Sequence, residues 1–404
     1  MATTTTRNSF VKRFFINSLT GVPVQQQVPK LTMRIAVSVF YFCMGLCFAS
    51  WASRIPDIKT TLYLSEGQLG TILLALPIGQ LVTMPVSGRL VTKYGSRTIL
   101  SFSILLYAIA LTNIGWASEL WQLALTLFFF GVVGNLSNIS VNTQGVLAEK
   151  IYGRPIMTSF HGVWSIAGFT GALIGLLMTN LRLTPRQHFF IVAALVFILV
   201  FIARKYLITG TTAPAEKKKF FSKPDTVLMQ LGIIAFCSMA AEGAMFDWSG
   251  VYFKEVVIAP QSLVIVGYAS FMIMMASGRF VGDRIIARVG RKKLLQLSGL
   301  LVFTGLMISV ALPYLATATL GFLVVGFGVS SVIPTVYSTA AKAAKVAPGM
   351  ALASVSSIGF LGFLLGPPLI GYIAQLASLQ HSFAVVALFG LCISLMVTKL
   401  KVMD

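Results

Sequence analysis

Long apolar runs separated by short polar stretches dominate this chain. A helix needs about 20 apolar residues to cross the hydrocarbon of a bilayer, because each backbone polar group must be paired within the segment. Twelve runs are long enough, at about 33–53, 66–88, 98–117, 119–143, 157–179, 187–207, 226–250, 261–280, 293–312, 316–340, 348–375 and 380–400. Apolar residues make up 56% of the chain and charged ones only 10%. The sequence therefore predicts an all-α membrane protein with twelve transmembrane helices, called spans 1 to 12 below.

The two halves of the chain repeat each other. A pattern of serine, glycine, phenylalanine and leucine in span 5 recurs 191 positions later in span 11, as Ser165, Gly168, Phe169, Gly171, Leu173 and Gly175 against Ser356, Gly359, Phe360, Gly362, Leu364 and Gly366. We expect two pseudo-symmetric six-helix bundles, residues 33–207 and 226–400, a cytoplasmic linker at 208–225 and a mobile cytoplasmic segment at 1–32. Duplicated bundles around a central cavity are typical of secondary transporters. The glycines permit close sliding contacts between helices, or serve static packing.

A net charge of +20 could indicate a protein that binds nucleic acid, but the distribution of the charges along the chain does not support this. If both termini are cytoplasmic, all but five of the 31 Lys and Arg residues lie on the cytoplasmic side, with Arg279 to Lys293 among them. The five exceptions are Arg54, Lys59, Arg182, Arg186 and Lys254. Because cytoplasmic loops of membrane proteins carry the excess of Lys and Arg, the charge predicts topology. No basic surface interleaved with aromatic residues is left to bind nucleic acid.

Cysteine and histidine are too few and too dispersed for enzyme chemistry. The four cysteines, Cys43, Cys47, Cys237 and Cys392, fall within predicted spans, where thiols behave as small apolar groups. The histidines, His161, His188 and His381, fall in different spans and no metal-ligand or nucleophile spacing occurs. We expect no metal, no cofactor and no enzyme activity. A non-transporting scaffold, a third class, would be expected to carry an appended soluble domain.

Two basic motifs follow spans 2 and 8. The stretch from Gly88 to Arg97 resembles the signature loop of the major facilitator superfamily. The stretch from Asp283 to Lys292 is the corresponding motif in the second half. The resemblance covers the whole chain and implies a gate at the cytoplasmic face. Topogenic positive charge is the alternative role. Thr92 and Ala287 replace an aspartate that the superfamily usually has there. The expected gating residues are Gly88, Arg89, Lys93, Gly95, Arg97, Asp283, Arg284, Arg288, Gly290 and Arg291.

Four shorter motifs narrow the resemblance. They are Trp51-Ala-Ser-Arg54-Ile-Pro56, Phe160-His161-Gly162, Glu242 with Asp247-Trp248, and Gly366-Pro367-Pro368. Together they resemble the fucose-permease-like branch, in particular its uncharacterised members from bacterial inner membranes. The resemblance implies proton-coupled sugar symport across the bacterial cytoplasmic membrane. Those permeases often have a glutamate where Asn138 aligns, so the usual proton site in span 4 is missing here.

Span 7 carries the acidic residues of the membrane interior. Glu242 has no Lys or Arg in its own span, and a charged carboxylate there is expensive. We therefore expect Glu242 to be protonated for part of a transport cycle and to exchange the coupled proton. A permanently protonated, structural carboxyl is the alternative. Asp247 is a second candidate for proton coupling, or is simply solvated near the membrane surface.

Amide and aromatic side chains are the candidates for binding a solute. Asn135, Asn138 and Asn142 share one face of span 4, because spacings of three and four residues align on a helix. Amides both donate and accept hydrogen bonds, which suits a hydroxyl-rich ligand, although hydrogen bonds between helices are equally compatible. The further candidates are His161, Trp51, Trp164, Trp248 and Tyr337. A packed neutral histidine and interfacial tryptophans are the alternatives for these.

The sequence thus predicts a secondary transporter that moves a small neutral polar or sugar-like solute, with protons, by alternating access. Export of amphipathic or anionic metabolites or drugs by proton antiport is the alternative within transport. The expected partners are the solute, protons and the lipid bilayer, and a monomer is expected.

The charge asymmetry yields a testable topology. Both termini and the linker should be cytoplasmic, because that orientation places the excess of Lys and Arg inside. A reporter that is active only in the cytoplasm should be active when it is fused after Ala215, and one that is active only outside the cell should be inactive there. Activity of an externally folding reporter at that position would reverse the orientation.

Overall fold

The computed structural model describes residues 29–153, 156–209, 226–343 and 348–400. Every regular element within these ranges is helical, and twelve helices are long and apolar enough to cross a membrane. This confirms the predicted fold class. The segment 1–28 and residues 210–225, on which the predicted mobile segment and most of the predicted linker fall, lie outside the described residues.

The spans begin and end close to their predicted positions. In the first half they are span 1 (Lys30–Thr61), span 2 (Glu66–Leu73 and Ala75–Tyr94), span 3 (Ser96–Ile114), span 4 (Leu120–Tyr152), span 5 (Met157–Asn180) and span 6 (Pro185–Ala203). In the second half they are span 7 (Thr226–Glu255), span 8 (Val266–Val289), span 9 (Arg291–Ala311), span 10 (Leu315–Val329 and Val332–Ala343), span 11 (Pro348–Leu376) and span 12 (Leu379–Thr398). Because the number of spans is even, the first and last spans start and finish at the same end of the bundle. We call this the terminal end and the opposite one the distal end.

The two signature motifs are helical over most of their length. The helix of span 2 continues to Tyr94 and that of span 8 to Val289, so each connection is one glycine. Gly95 has φ +81° and Gly290 has φ +80°, a backbone conformation that only glycine adopts without strain. The motifs were expected to form loops. The structure differs because nothing before these glycines interrupts a helix, while the positive φ of the glycine ends it.

Spans 2 and 11 bring the two halves into backbone contact near the distal end. A Cβ atom on Gly371 would lie 2.5 Å from the carbonyl oxygen of Glu66, and one on Gly70 would lie 2.7 Å from that of Pro367. Lipid provides no hydrophobic drive for helix association, so close approach of small residues is a principal source of packing energy. These glycines allow the halves to touch with no side chain between them.

Polar contacts join the halves at the same end. Lys59, at the end of span 1, pairs with Glu66 at 3.0 Å and with Glu255 of the second half. The amide of Gln261 donates to the carboxylate of Asp57 at 2.9 Å. The distal end is therefore closed in this conformation.

A buried arginine holds the distal end of the first half together. Arg54 is 2% exposed and donates to the carboxylate of Asp57 at 2.6 Å, to Nδ1 of His188 at 3.1 Å and to the carbonyl oxygen of Leu183 at 2.8 Å. With three acceptors around it, this guanidinium is compensated within its own half. It ties span 1 to span 6.

The contact between spans 2 and 11 can be tested with a matched pair of variants. Gly371→Ala should lower the apparent melting temperature of the purified protein, because the added methyl meets backbone atoms and overpacking costs about 1–3 kcal/mol. Gly366→Ala, on the same helix, is the control, since its Cβ would lie 3.6 Å from the nearest atom. Equal melting temperatures for the two variants would contradict the close contact.

Candidate substrate site

Glu242 lies near the middle of span 7 and is 6% exposed. Its carboxyl group forms no hydrogen bond and no ion pair with another side chain in the part of the chain that the structure describes. The nearest charge that acts on it is the guanidinium of Arg279, on span 8. The acid that the sequence singled out therefore has a basic neighbour, but no directly bonded partner.

Arg279 lies inside the membrane domain, not at the terminal surface. The helix of span 8 continues to Val289, so Arg279 precedes the turn at Gly290 by roughly 16 Å along the helix axis. The assignment of this residue to the cytoplasmic charges was wrong, because the sequence interpretation ended span 8 too early. None of the residues that the sequence analysis named as candidates for binding the solute lies on span 8.

Arg279 also connects the two halves of the protein. Its Nη1 donates to the hydroxyl oxygen of Ser165, on span 5, at 2.9 Å. Ser165 is fully buried and in turn donates to the carbonyl oxygen of His161. The imidazole of His161 is within electrostatic range of Arg279, and His161 itself is exposed. Spans 5, 7 and 8 thus place a base, an acid and a titratable ring around one point between the halves.

The amide face of span 4 serves two purposes. Asn135 is buried, and its side-chain oxygen accepts from the hydroxyl of Ser87 at 2.9 Å, which joins span 4 to span 2. Asn142 accepts from the hydroxyl of Tyr41 at 2.8 Å and donates to the carbonyl oxygen of Asn138 at 2.8 Å. Asn138 is exposed. Asn135 is thus a contact between helices, whereas Asn138 and Asn142 present polar groups next to span 1.

Tyr41 was not identified from the sequence. Its ring stacks on Phe160 with centroids 5.4 Å apart and meets the ring of His161 edge-on at 5.5 Å. Together with its bond to Asn142, this places Tyr41 between spans 4 and 5. A single tyrosine in an apolar helix carries no pattern that distinguishes it from packing residues, so only the tertiary structure reveals this position.

Phe246 closes the site toward the distal end. It lies one helical turn from Glu242 and contacts aromatic rings from both halves. Its partners, with centroid separations of 5.4 to 6.4 Å, are Phe48 and Trp164 of the first half and Tyr268, Phe271 and Phe363 of the second. We call these six rings the aromatic plug. Trp164, which was expected to offer a face to ligand, belongs to this plug and is half-buried, so its contact with ligand stays a prediction.

Trp51 and Trp248 are wholly buried, with 0% exposure. Their indole nitrogens form no hydrogen bond with described residues. Neither ring has an accessible face in this conformation, and a ligand-facing role for Trp51 and Trp248 stays a prediction. Asp247 is half-buried with the hydroxyl of Tyr268 within electrostatic range, and Tyr337 is half-buried within range of Glu242.

The predicted gating residues lie at the terminal end. Arg89, Lys93, Arg284 and Arg288 are exposed. Arg97 is half-buried and donates to the carbonyl oxygen of Lys205 at 3.4 Å. Arg291 begins span 9 and Gly88 lies within the helix of span 2, while the side chain of Asp283 lies outside the described residues. None of these basic groups forms an ion pair with a carboxylate among the described side chains, and their gating role stays a prediction.

The protein has two six-helix halves, with an acid, a basic residue and a polar face between them. It is closed at the distal end. These features together are those of a membrane transporter. A family model described as "Major Facilitator Superfamily" matches residues 37–348. The chain belongs to the major facilitator superfamily and is a transporter, not an enzyme. The narrower resemblance to the fucose-permease-like branch stays a prediction.

Individual relatives agree with this assignment. The chain is 32% identical to an uncharacterised MFS-type transporter of Yersinia pestis, over 93% of this chain and 97% of that protein. It is 29% identical to the membrane protein MosC of Rhizobium meliloti, over 90% and 89% of the two chains. Among solved structures, the nucleoside transporter NupG is similar with a TM-score of 0.72 at 15% identity, over 91% of this chain and 98% of that one. At such low identity this last likeness shows the fold alone.

The two roles of the amide face predict different consequences for mutation. Asn135→Leu should lower stability by about 0.6–1.7 kcal/mol, the range of hydrogen bonds between membrane helices, because the bond from Ser87 of span 2 is lost and Ser87 keeps only its bond to Thr83 of its own helix. Asn138→Leu should leave stability unchanged and weaken ligand binding roughly five- to hundredfold. Melting curves and binding isotherms of both variants measure this. If Asn138→Leu destabilises the protein and Asn135→Leu does not, the assignment is reversed.

Proposed function

We propose that this protein is a proton-coupled secondary transporter of a small, hydroxyl-bearing polar solute, the sugar-like class that the sequence predicted. The observation that carries the proposal is Glu242, a carboxyl group buried between the halves without a hydrogen-bond partner among the described residues. A buried carboxylate is costly, and a buried neutral carboxyl is not. Glu242 therefore gains stability from binding a proton whenever its basic neighbour is engaged elsewhere.

The residues near the terminal side of the aromatic plug suit a hydroxylated ligand. Asn138 and Asn142 form a linked set of hydrogen-bonding groups, which the buried hydroxyl of Tyr41 holds in place, with the ring of His161 next to that of Tyr41. Amide and hydroxyl groups can both donate to and accept from a ligand hydroxyl. We assign solute binding to this set and to Arg279, and proton exchange to Glu242, with Asp247 as the second candidate.

Alternating access follows from the distribution of contacts. The aromatic plug and the distal polar contacts of Lys59, Asp57 and their partners form the barrier at one end. Transport requires these contacts to break while an equivalent barrier forms at the terminal end, where the signature motifs lie. The position of the substrate site between two similar halves is the arrangement that this rocking motion needs.

The remaining parts of the proposal rest on charge and relatives. The excess of Lys and Arg at the terminal end favours a cytoplasmic location for both termini. Bacterial relatives favour the bacterial cytoplasmic membrane, and we propose a monomer. The names of similar proteins include nucleoside, multidrug and anion transporters, so they favour no single solute. Export of an anionic metabolite is the second candidate function, and the interior position of Arg279 is the observation that favours it.

Proton coupling can be tested at Glu242. Glu242→Gln should abolish accumulation driven by a pH gradient while substrate counterflow persists, because the amide keeps the shape of the side chain but cannot titrate. Transport by the variant reconstituted in liposomes measures both properties. Glu119→Gln removes an exposed carboxyl at the distal end and is the matched control. Undiminished uphill transport in Glu242→Gln would eliminate Glu242 as the coupling residue.

A further inference from the structure

The net charge of the ionisable groups between the halves is zero in only some of their protonation states. The groups that face one another there are Arg279 of span 8, Glu242 of span 7, His161 of span 5 and the hydroxyl of Tyr337 of span 10. With Glu242 ionised and His161 neutral, the set has no net charge. With Glu242 protonated, no carboxylate among the described side chains compensates the charge of Arg279 inside the membrane domain. Such a charge is expensive and calls for a counter-charge.

The guanidinium of Arg279 has donors to spare for that counter-charge. Of its five N–H groups, one donates to the hydroxyl of Ser165, and no other is bonded to a residue that the structure describes. No ion pair links it to Glu242 or to any other carboxylate in the part of the chain that the structure describes. The contrast with Arg54 is informative, since that arginine is fully engaged by an aspartate, a histidine and a carbonyl oxygen. A guanidinium with free donors matches the two oxygens of a carboxylate.

We propose that the transported solute is a small hydroxylated monocarboxylate, such as a sugar acid, whose carboxylate binds Arg279 while Glu242 holds the coupled proton. This inference rests on the proposed function and replaces the expected neutral solute by a singly charged one. The neutral expectation rested on the amides of span 4 and on the family resemblance, and it took no account of Arg279, which the structure places within the helix of span 8.

The rest of the ligand is accommodated by residues already described. His161 lies within electrostatic range of Arg279, and its ring contacts that of Tyr41, which is bonded to Asn142. Polar groups therefore extend from the guanidinium of Arg279, past the ring of His161, to Asn142 of span 4. A molecule with a carboxylate at one end and hydroxyls along its length fits this order of groups.

The proposal has a consequence for charge movement. One proton carried with one monoanion moves no net charge, so transport should be electroneutral. One proton carried with a neutral sugar moves one positive charge, so transport would be driven by membrane potential. Electrical and pH measurements on the same liposomes therefore separate the two substrate classes.

The experiment uses the full chain reconstituted in liposomes. The probes are D-gluconate, D-glucuronate and D-galacturonate, with D-glucose and D-galactose as their neutral counterparts. We expect uptake of at least one acid, accompanied by proton entry, unchanged when a potassium gradient with valinomycin sets the membrane potential. Uptake of the neutral sugars should be at background level.

Two variants connect the result to Arg279. Arg279→Gln should reduce uptake of the acid about thirtyfold or more, since one partner of a buried charged pair is lost. Arg279→Lys, which keeps the charge, should retain part of it and guards against failure of the glutamine variant to fold. Arg204→Gln removes an exposed guanidinium at the terminal end and is the control.

The remaining outcomes of the uptake experiment distinguish the anionic substrate from the proposed proton coupling. Potential-driven uptake of a neutral sugar with proton entry would overturn the anionic substrate and leave the proposed function standing. Uptake of an acid without proton entry, lost in Arg279→Gln, would support the carboxylate site and overturn proton coupling. Absence of uptake for all three acids, or full uptake by a folded Arg279→Gln protein, would overturn the inference.

Discussion

The cost of holding a charge inside a membrane domain governs this structure. Three basic residues in the interior or at its distal edge illustrate it, because each has a different form of compensation. Arg54 is surrounded by acceptors from its own half. Lys59 is shared by two carboxylates, one from each half. Among the described side chains, Arg279 has no ion pair and is compensated at a distance by Glu242. The first group stabilises a bundle, the second holds one conformation, and the third is the one that we propose to bind a ligand.

The contacts at the distal end are individually modest, which suits a barrier that has to open and close. Ion pairs near the membrane surface are worth little individually, because water competes for both charges. The close approach of Gly70 and Gly371 and the rings around Phe246 add packing that is lost as soon as the halves separate. A barrier made of many modest contacts can open at a cost that substrate and proton binding are able to offset. Bonds inside each half, such as that of Asn135 to Ser87, are unaffected by such opening.

A little more than one turn of span 7 carries three residues with proposed roles, namely Glu242, Phe246 and Asp247. The acid lies on the terminal side of the plug, the phenylalanine forms the centre of the plug, and the second acid lies beyond it. A movement of span 7 relative to span 1 would therefore change the access of both carboxyl groups together. This proximity is the physical basis on which proton binding and the opening of the barrier can be coupled.

The sequence by itself determined the twelve spans, the two halves, the turn glycines Gly95 and Gly290, and the position of Glu242 as an acid within a span. These features depend on local rules, namely the length of apolar runs, the restriction of positive φ to glycine and the cost of an acid in an apolar helix. Counting back from the turn glycines would also have located Arg279, which precedes Gly290 by eleven residues, whereas Arg89 precedes Gly95 by six. Only the tertiary structure decided that Arg279 meets Ser165 and Glu242, that Tyr41 joins Asn142, and that Phe246 closes the site. Those contacts join residues from different helices and, in two of the three cases, from different halves, so their partners depend on how the helices pack, which no local pattern records.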